Sequence, residues 1–155
     1  MSLEQLYLAP GEGETASARG TEVVFKATGE RAAGGPTVIE FIGAPGFSTG
    51  DHVHSTIEEI FYVLDGEFKI RAGEWTGLVG PGGCVRVPPG IAHGFGNPGD
   101  SPATLLLIIS PAAVHENYFR ELFAILSNPG PPDTAAIAEL RERYDTVQVS
   151  PLSAS

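Results

Sequence analysis

The stretch Gly46-Phe47-Ser48-Thr49-Gly50-Asp51-His52-Val53-His54-Ser55-Thr56-Ile57-Glu58-Glu59-Ile60-Phe61-Tyr62-Val63-Leu64-Asp65-Gly66 decides the reading of this chain. His52 and His54 are two residues apart. A β-strand repeats its side-chain direction every second residue, so both imidazoles face the same way. Glu59 heads a strongly β-prone run, Ile60 to Leu64. If that run pairs with the histidine strand, its carboxylate reaches both imidazoles. Two neutral imidazoles and a carboxylate on one side of a metal form the facial set associated with non-haem Fe(II). Glu58 points to the opposite side of its strand from Glu59, and Glu59 is the preferred ligand.

Gly82 to Asn97 supplies the second half of the site. Pro88-Pro89-Gly90 forces a tight turn, because proline fixes φ and glycine tolerates a left-handed backbone. The turn delivers His93 to the start of the next strand as a fourth ligand. Val85, Val87, His93 and Phe95 then share an inward face.

These two segments resemble the cupins. The first cupin motif, G-x5-H-x-H-x(3,4)-E-x6-G, is filled by Gly46, His52, His54, Glu59 and Gly66. The second, G-x5-P-x-G-x2-H-x3-N, is filled by Gly82, Pro88, Gly90, His93 and Asn97. The fifteen residues between the motifs match the compact spacing of small single-domain bacterial-type members. Two motifs at the right separation are a stronger signal than either alone. The resemblance implies an all-β double-stranded β-helix, a jelly-roll barrel, here with two C-terminal α-helices. It implies that His52, His54, Glu59 and His93 hold one divalent metal ion, Fe, Ni, Mn or Zn, and that the protein pairs as a homodimer. A looser similarity to quercetin-dioxygenase-like cupins implies a small aromatic or enol-type substrate, O2 as co-substrate, and Glu59 as catalytic base. The alternatives are a non-redox isomerase, cyclase or decarboxylase, and a cupin that only binds a small molecule.

The rest of the chain fits that frame. Among 155 residues, 20 glycines and 13 prolines punctuate short apolar runs, as in a sandwich or barrel. Strands are expected at 21–27, 37–42, 52–54, 59–64, 67–72, 76–79, 84–87, 92–95 and 103–109, with a short edge strand at Leu6-Tyr7-Leu8. After Pro111 the period changes. Val114, Tyr118, Leu122 and Leu126 recur every fourth residue, predicting a helix over 112–126 that is either a lid on the barrel or a dimer contact. Asp133 caps a second helix carrying Ile137, Leu140 and Tyr144. Val147 and Val149 suggest a short strand or strap. The expected organisation is an irregular N-terminal arm over 1–20, a barrel over 21–111, and a helical appendix over 112–155 packed on it.

Phe47, Phe61 and Phe95 are candidate substrate-pocket residues, although core packing accounts for each equally well. Glu40 joins them only if Val38 and Ile42 face inward; the opposite phase, with Ile39 and Phe41 inward, is as consistent. His115 reads as a surface histidine, Trp75 as a surface aromatic, and Cys84 as a packed structural thiol. One cysteine excludes an internal disulfide framework and fits a reducing, cytoplasmic setting. No secretory signal or membrane-length apolar run is evident. A net charge of −10 with no basic cluster argues against nucleic-acid or anionic-membrane partners and leaves a small molecule as the expected ligand.

Overall fold

A computed structural model describes residues 7–29, 35–112 and 115–150. Among the described residues, ten strands precede two helices and a last short strand: β1 (Glu14–Ala18), β2 (Thr21–Ala27), β3 (Thr37–Gly43), β4 (His52–Val53), β5 (Glu58–Asp65), β6 (Phe68–Ala72), β7 (Trp75–Val79), β8 (Cys84–Val87), β9 (His93–Gly96), β10 (Ala103–Ser110), α1 (His115–Leu126), α2 (Thr134–Arg143) and β11 (Val147–Gln148). They form two antiparallel sheets, ordered β1-β2-β3-β10-β5-β8 and β11-β4-β9-β6-β7. The double-stranded β-helix and both C-terminal helices are therefore present.

Strict alternation builds the barrel. In β3 the buried residues are Thr37, Ile39 and Phe41, and in β10 they are Ala103, Leu105, Leu107 and Ile109. β10 lies between β3 and β5 in register, so Leu107 faces Ile39 on one side and Phe61 on the other. Those inward rows, with Phe68, Ile70 and Phe95 from the second sheet, make one continuous core. Hydrophobic burial on this scale is the main term holding the sheets together.

Turn chemistry follows the motif glycines. Gly66 has φ 71°, and a Cβ there would lie 2.7 Å from the Ala103 Cβ, so the β5–β6 turn admits no side chain. Gly90 has φ 84°, and its N–H donates to the carbonyl of His54 over 2.7 Å. That bond ties the Pro88-Pro89-Gly90 turn to the histidine strand.

Several expectations change. β1 lies inside the segment expected to be irregular. Its sequence, Glu14-Thr15-Ala16-Ser17-Ala18, carries no large apolar residue, but it pairs along its whole length with β2. Arg120 of α1 clamps it through Glu14, with contacts of 2.8 Å. The suggested strand at 6–8 is not seen: Tyr7 and Leu8 are irregular, and Leu6 lies outside the described residues, as does Val114 of the helical repeat. Glu40 faces away from the core, 3.7 Å from Lys26, because Ile39 and Phe41 take the inward phase. It is not a pocket residue. Cys84 is exposed rather than packed. It sits opposite Tyr62 on the outer face of β8, whereas Val85 sits opposite the inward Phe61. Trp75 is exposed as expected.

Phe61 is completely buried and touches Phe95 at 5.0 Å between ring centroids. It is core rather than pocket wall. Phe61→Ala is expected to lower unfolding free energy by about 3–5 kcal/mol, measured by equilibrium urea denaturation.

Candidate metal centre

The four expected ligands converge from both sheets. His52 begins β4 and His93 begins β9, and these residues are directly opposed partners in the antiparallel pair. Their rings lie 4.4 Å apart, and His54 lies 5.1 Å from His52 and 5.2 Å from His93. Glu59 does not come from a neighbouring strand, as pairing of β5 with the histidine strand would require. β5 belongs to the other sheet, so the carboxylate reaches the imidazoles across the barrel interior. Its strand neighbours are Ile109 and Val87, both buried, which leaves the carboxylate no local polar partner. All four side chains are buried, and one ligand atom from each lies within 4.8 Å of the others.

Hydrogen bonds fix which atoms face the centre. The Nδ1–H of His52 donates to Gly50 O (3.1 Å), that of His54 to Asp145 O (2.8 Å), and that of His93 to Ile91 O (2.8 Å). A carbonyl only accepts, so Nδ1 carries the proton and Nε2 carries the lone pair in each neutral ring. The Nε2 of His54 is buried without a hydrogen-bond partner, 3.4 Å from Glu59 Oε1, and the Nε2 of His93 is 2.8 Å from Glu59 Oε2. Three lone pairs and a carboxylate face one another with no intrinsic donor. A divalent cation satisfies that arrangement. The donor set is therefore that of a metal site, with backbone carbonyls orienting each imidazole as outer-shell partners do.

Electrostatics agree. Burial pushes the pKa of His52 down to about 3 despite the attraction of Glu59. Burial also works against a charged His54, but the Glu59 carboxylate 3.4 Å away outweighs it, and its pKa is raised. Burial opposes ionisation of Glu59, but the close approach of the His54 and His93 rings holds it well below the usual carboxylate range.

A cavity of about 280 Å³ opens beside this centre, and His52, His54 and Glu59 face it. Phe47 and Phe95 line it; Phe61 and Glu40 do not. The cavity is closed by α1, whose Tyr118 and Phe119 belong both to its wall and to the core. The first helix thus lies over the barrel's mouth. His115, expected at the surface, is only 2% exposed, its ring 5.5 Å from that of His54. Burial pushes its pKa down to about 4, so it is neutral at pH 7. Arg141 of α2 also lines the cavity. The sequence offered a signal for both: His115 shares a helical face with Tyr118, Phe119 and Leu122, and Arg141 shares one with Ile137 and Tyr144. A polar residue on an apolar stripe is buried with it.

The appendix also holds a ligand in place. Immediately after α2, Asp145 has φ 50°, and its carbonyl accepts from His54. Its carboxylate accepts from the N–H of Ser55 (3.1 Å), and from the N–H and Oγ1 of Thr56 (2.8 and 2.7 Å). These bonds hold the Asp145 carboxyl well below its ordinary pKa, against the opposing effect of burial. β11 then pairs with β4 beside His52.

Comparison with known proteins agrees with this architecture. Residues 40–109 match the family model described as Cupin domain. This segment is a cupin domain. No curated protein matches the chain. Among solved structures, KdgF from Halomonas sp. superposes on the cupin with a TM-score of 0.60 at 17% identity, covering 68% of this chain and 94% of its own. A cupin-superfamily sugar phosphate isomerase from Silicibacter pomeroyi gives 0.60 at 20% identity, covering 69% and 76%. A predicted oxalate decarboxylase from Thermotoga maritima gives 0.56 at 23% identity, covering 59% and 80%. At these identities the likeness is one of fold.

Elemental analysis of protein purified without chelator should find one metal per chain, and none after His52→Ala. Asp145→Ala, which touches no ligand atom directly, should weaken metal affinity by about 10-fold or more in a chelator competition. Metal must also displace any proton held on the Nε2 of His54. Because the pKa of His54 is raised, that proton is bound at low pH and absent at high pH. Apparent affinity should therefore be constant in mildly alkaline buffer and fall by about tenfold per pH unit on acidification, read from the same competition across pH.

Proposed function

We propose that this cupin is a metal-dependent oxidoreductase of the dioxygenase type acting on a small, largely apolar aromatic or enol-type molecule. The observation that carries the reading is a cluster of three imidazoles and one carboxylate whose His52, His54 and Glu59 face an aromatic-walled cavity of about 280 Å³. That volume lies at the small end of ligand sites. His52, His54, Glu59 and His93 would hold the metal. A bound redox-active ion supplies Lewis acidity and a route for electrons between an organic substrate and O2.

The protein's own groups have separable tasks. Phe47, Phe95 and Phe119 exclude water and offer ring faces and edges to an unsaturated substrate. Glu59 is the one carboxylate among the cavity's lining residues, and its oxygens sit where a substrate hydroxyl beside the metal would arrive. It is the base that takes that proton. Neutral His115 lies on the same wall and offers a hydrogen bond without adding charge.

A non-redox reading keeps the same ligands and uses the metal only to polarise a carbonyl. Two fold neighbours carry names of that kind, an oxalate decarboxylase and a sugar phosphate isomerase. The cavity disfavours both of those substrates here. Its wall is mainly apolar, Arg141 is the only buried Arg or Lys among the described residues, and the other lining cation, the exposed Arg19, is engaged by the carbonyls of Leu126, Asn128 and Gly130, which leaves little positive charge for a dianion. Lys69 and Arg71 point outward, and Arg86 pairs with Glu58 on the outer face.

Oxygen-electrode measurements on iron-, nickel- and manganese-loaded protein decide between the two. Uptake that depends on a flavonol or diketone substrate, and that stops in the metal-free protein, is the expected result. Turnover of a substrate by zinc-loaded protein without O2 uptake would establish the non-redox reading. Glu59→Gln should bind substrate and lose turnover by about 100-fold or more.

A further inference from the structure

Arg141 is out of place for a structural residue. It sits in the last turn of α2 and is 5% exposed. Its Nε–H donates to the Tyr118 hydroxyl (3.3 Å) and its Nη2 to the carbonyl of Thr49 (3.2 Å). Its Nη1 is buried with no partner, and no acidic side chain pairs with the guanidinium among the described residues. Every other described arginine or lysine is at least partly exposed to water. An uncompensated buried cation is costly, and a fold that keeps one supplies the counter-charge from elsewhere.

The surroundings show where that counter-charge goes. Arg141 and Tyr118 both line the cavity that the metal ligands face. The Tyr118 oxygen accepts from Arg141, which leaves its own O–H free to donate. Burial raises its pKa, so that proton stays on. Two donors, one of them charged, therefore sit side by side on a wall whose apolar part is made of Phe, Leu and Ile. Their position relative to the metal cluster is fixed by one loop: Arg141 holds the carbonyl of Thr49, and His52 holds that of Gly50.

We propose that Arg141, with Tyr118, is the anion-recognition site of this cavity, and that the ligand class is an apolar-bodied monoanion, a carboxylate or enolate. The anion lies on the Nη1–H of Arg141 and the O–H of Tyr118, and the apolar body extends along the phenylalanine wall toward the metal ligands. A carboxylate matches the planar fork of a guanidinium and neutralises it without a second cation. This deepens the reading of the site as one for a small apolar substrate. It rests on that reading for what the metal does, but not for binding itself.

The test compares phenylacetate with its neutral isostere phenylacetamide by isothermal titration calorimetry. Wild-type protein is used both zinc-loaded and metal-free, with zinc content and far-UV circular dichroism recorded for every variant. The acid should bind about 10- to 100-fold tighter than the amide in both forms, the range set by one charge-assisted hydrogen-bonding group. Arg141→Gln should abolish the preference, and Arg141→Lys should retain most of it. Tyr118→Phe should reduce acid binding several-fold while leaving the zinc content unchanged. If Arg141→Gln fails to fold, Tyr118→Phe and Arg141→Lys carry the test. Equal binding of acid and amide by wild type, no binding of either, or a preference unmoved by all the variants would each overturn the proposal. An acid preference that appears only with zinc and survives Arg141→Gln would place the carboxylate on the metal, sinking this proposal and leaving the metal centre intact. Failure to bind zinc with the preference present would do the reverse.

Discussion

The site depends on a conflict between acceptors. Three imidazole lone pairs and the Glu59 carboxylate are driven into one buried volume by strand parity, and none of them brings a proton for the others. Parity leaves the chain little choice. β5 must bury Phe61 and Val63, and Glu59 lies two residues before Phe61 on the same face. β9 must bury Phe95, and His93 precedes it by two. The same alternation that makes the core places the ligands at one end of it. The cation answers a problem that the hydrophobic pattern creates. Apolar burial holds the two sheets at a separation the carboxylate can span, so metal affinity and core packing are coupled through β5.

The C-terminal segment is part of this centre rather than an attachment to it. α1 closes the mouth with Tyr118 and Phe119. α2 delivers Arg141 to the cavity, and the residues after α2 hold His54 through the Asp145 carbonyl, with the Thr146 hydroxyl 3.3 Å from the same Nδ1. A ligand at the end of a two-residue strand such as β4 has few ladder bonds to position it. The Asp145 carboxylate compensates by gathering the N–H and hydroxyl groups of Ser55 and Thr56. Helix docking and ligand geometry are therefore one structural unit, and each supports the other.

This division explains what could be read from the sequence. The ligands were legible because each depends on local rules: an i, i+2 spacing on a strand, a Pro-Pro-Gly turn, a glycine at φ > 0. Nearly all strands were legible for the same reason. What failed depended on partners far away in sequence. β1 has no apolar signature; it is held by its ladder with β2 and by the Arg120–Glu14 ion pair. Glu59 was assigned to a strand beside the histidines, whereas the sheet order puts it across the barrel; spacing carries no information about which sheet a strand joins. Cys84 was misplaced although its strand parity was available, since Val85 and Val87 inward already force Cys84 outward. His115 was misplaced because a histidine's polarity was weighted above its position on an apolar helical stripe. The Glu40 ambiguity was real, since Val38-Ile39-Glu40-Phe41-Ile42 alternates equally well in either phase until β10 fixes which row is buried.

The electrostatic design of the cavity constrains its chemistry further. With metal bound, the cluster gains positive charge. The cavity wall keeps a buried cation of its own in Arg141. An apolar cavity between two positive groups is unfavourable when empty and favourable when it holds a single negative charge, because each Coulomb interaction is strengthened by the same low dielectric that makes the empty state costly. A dianion would be over-hydrated in water and under-solvated here, with one guanidinium and one hydroxyl to receive it. A neutral molecule would leave Nη1 unpaired. The same residues that close the cavity to water thus select the charge of what enters it. The cost of a buried, unpaired guanidinium in the free protein is a stability penalty of the kind that functional sites carry.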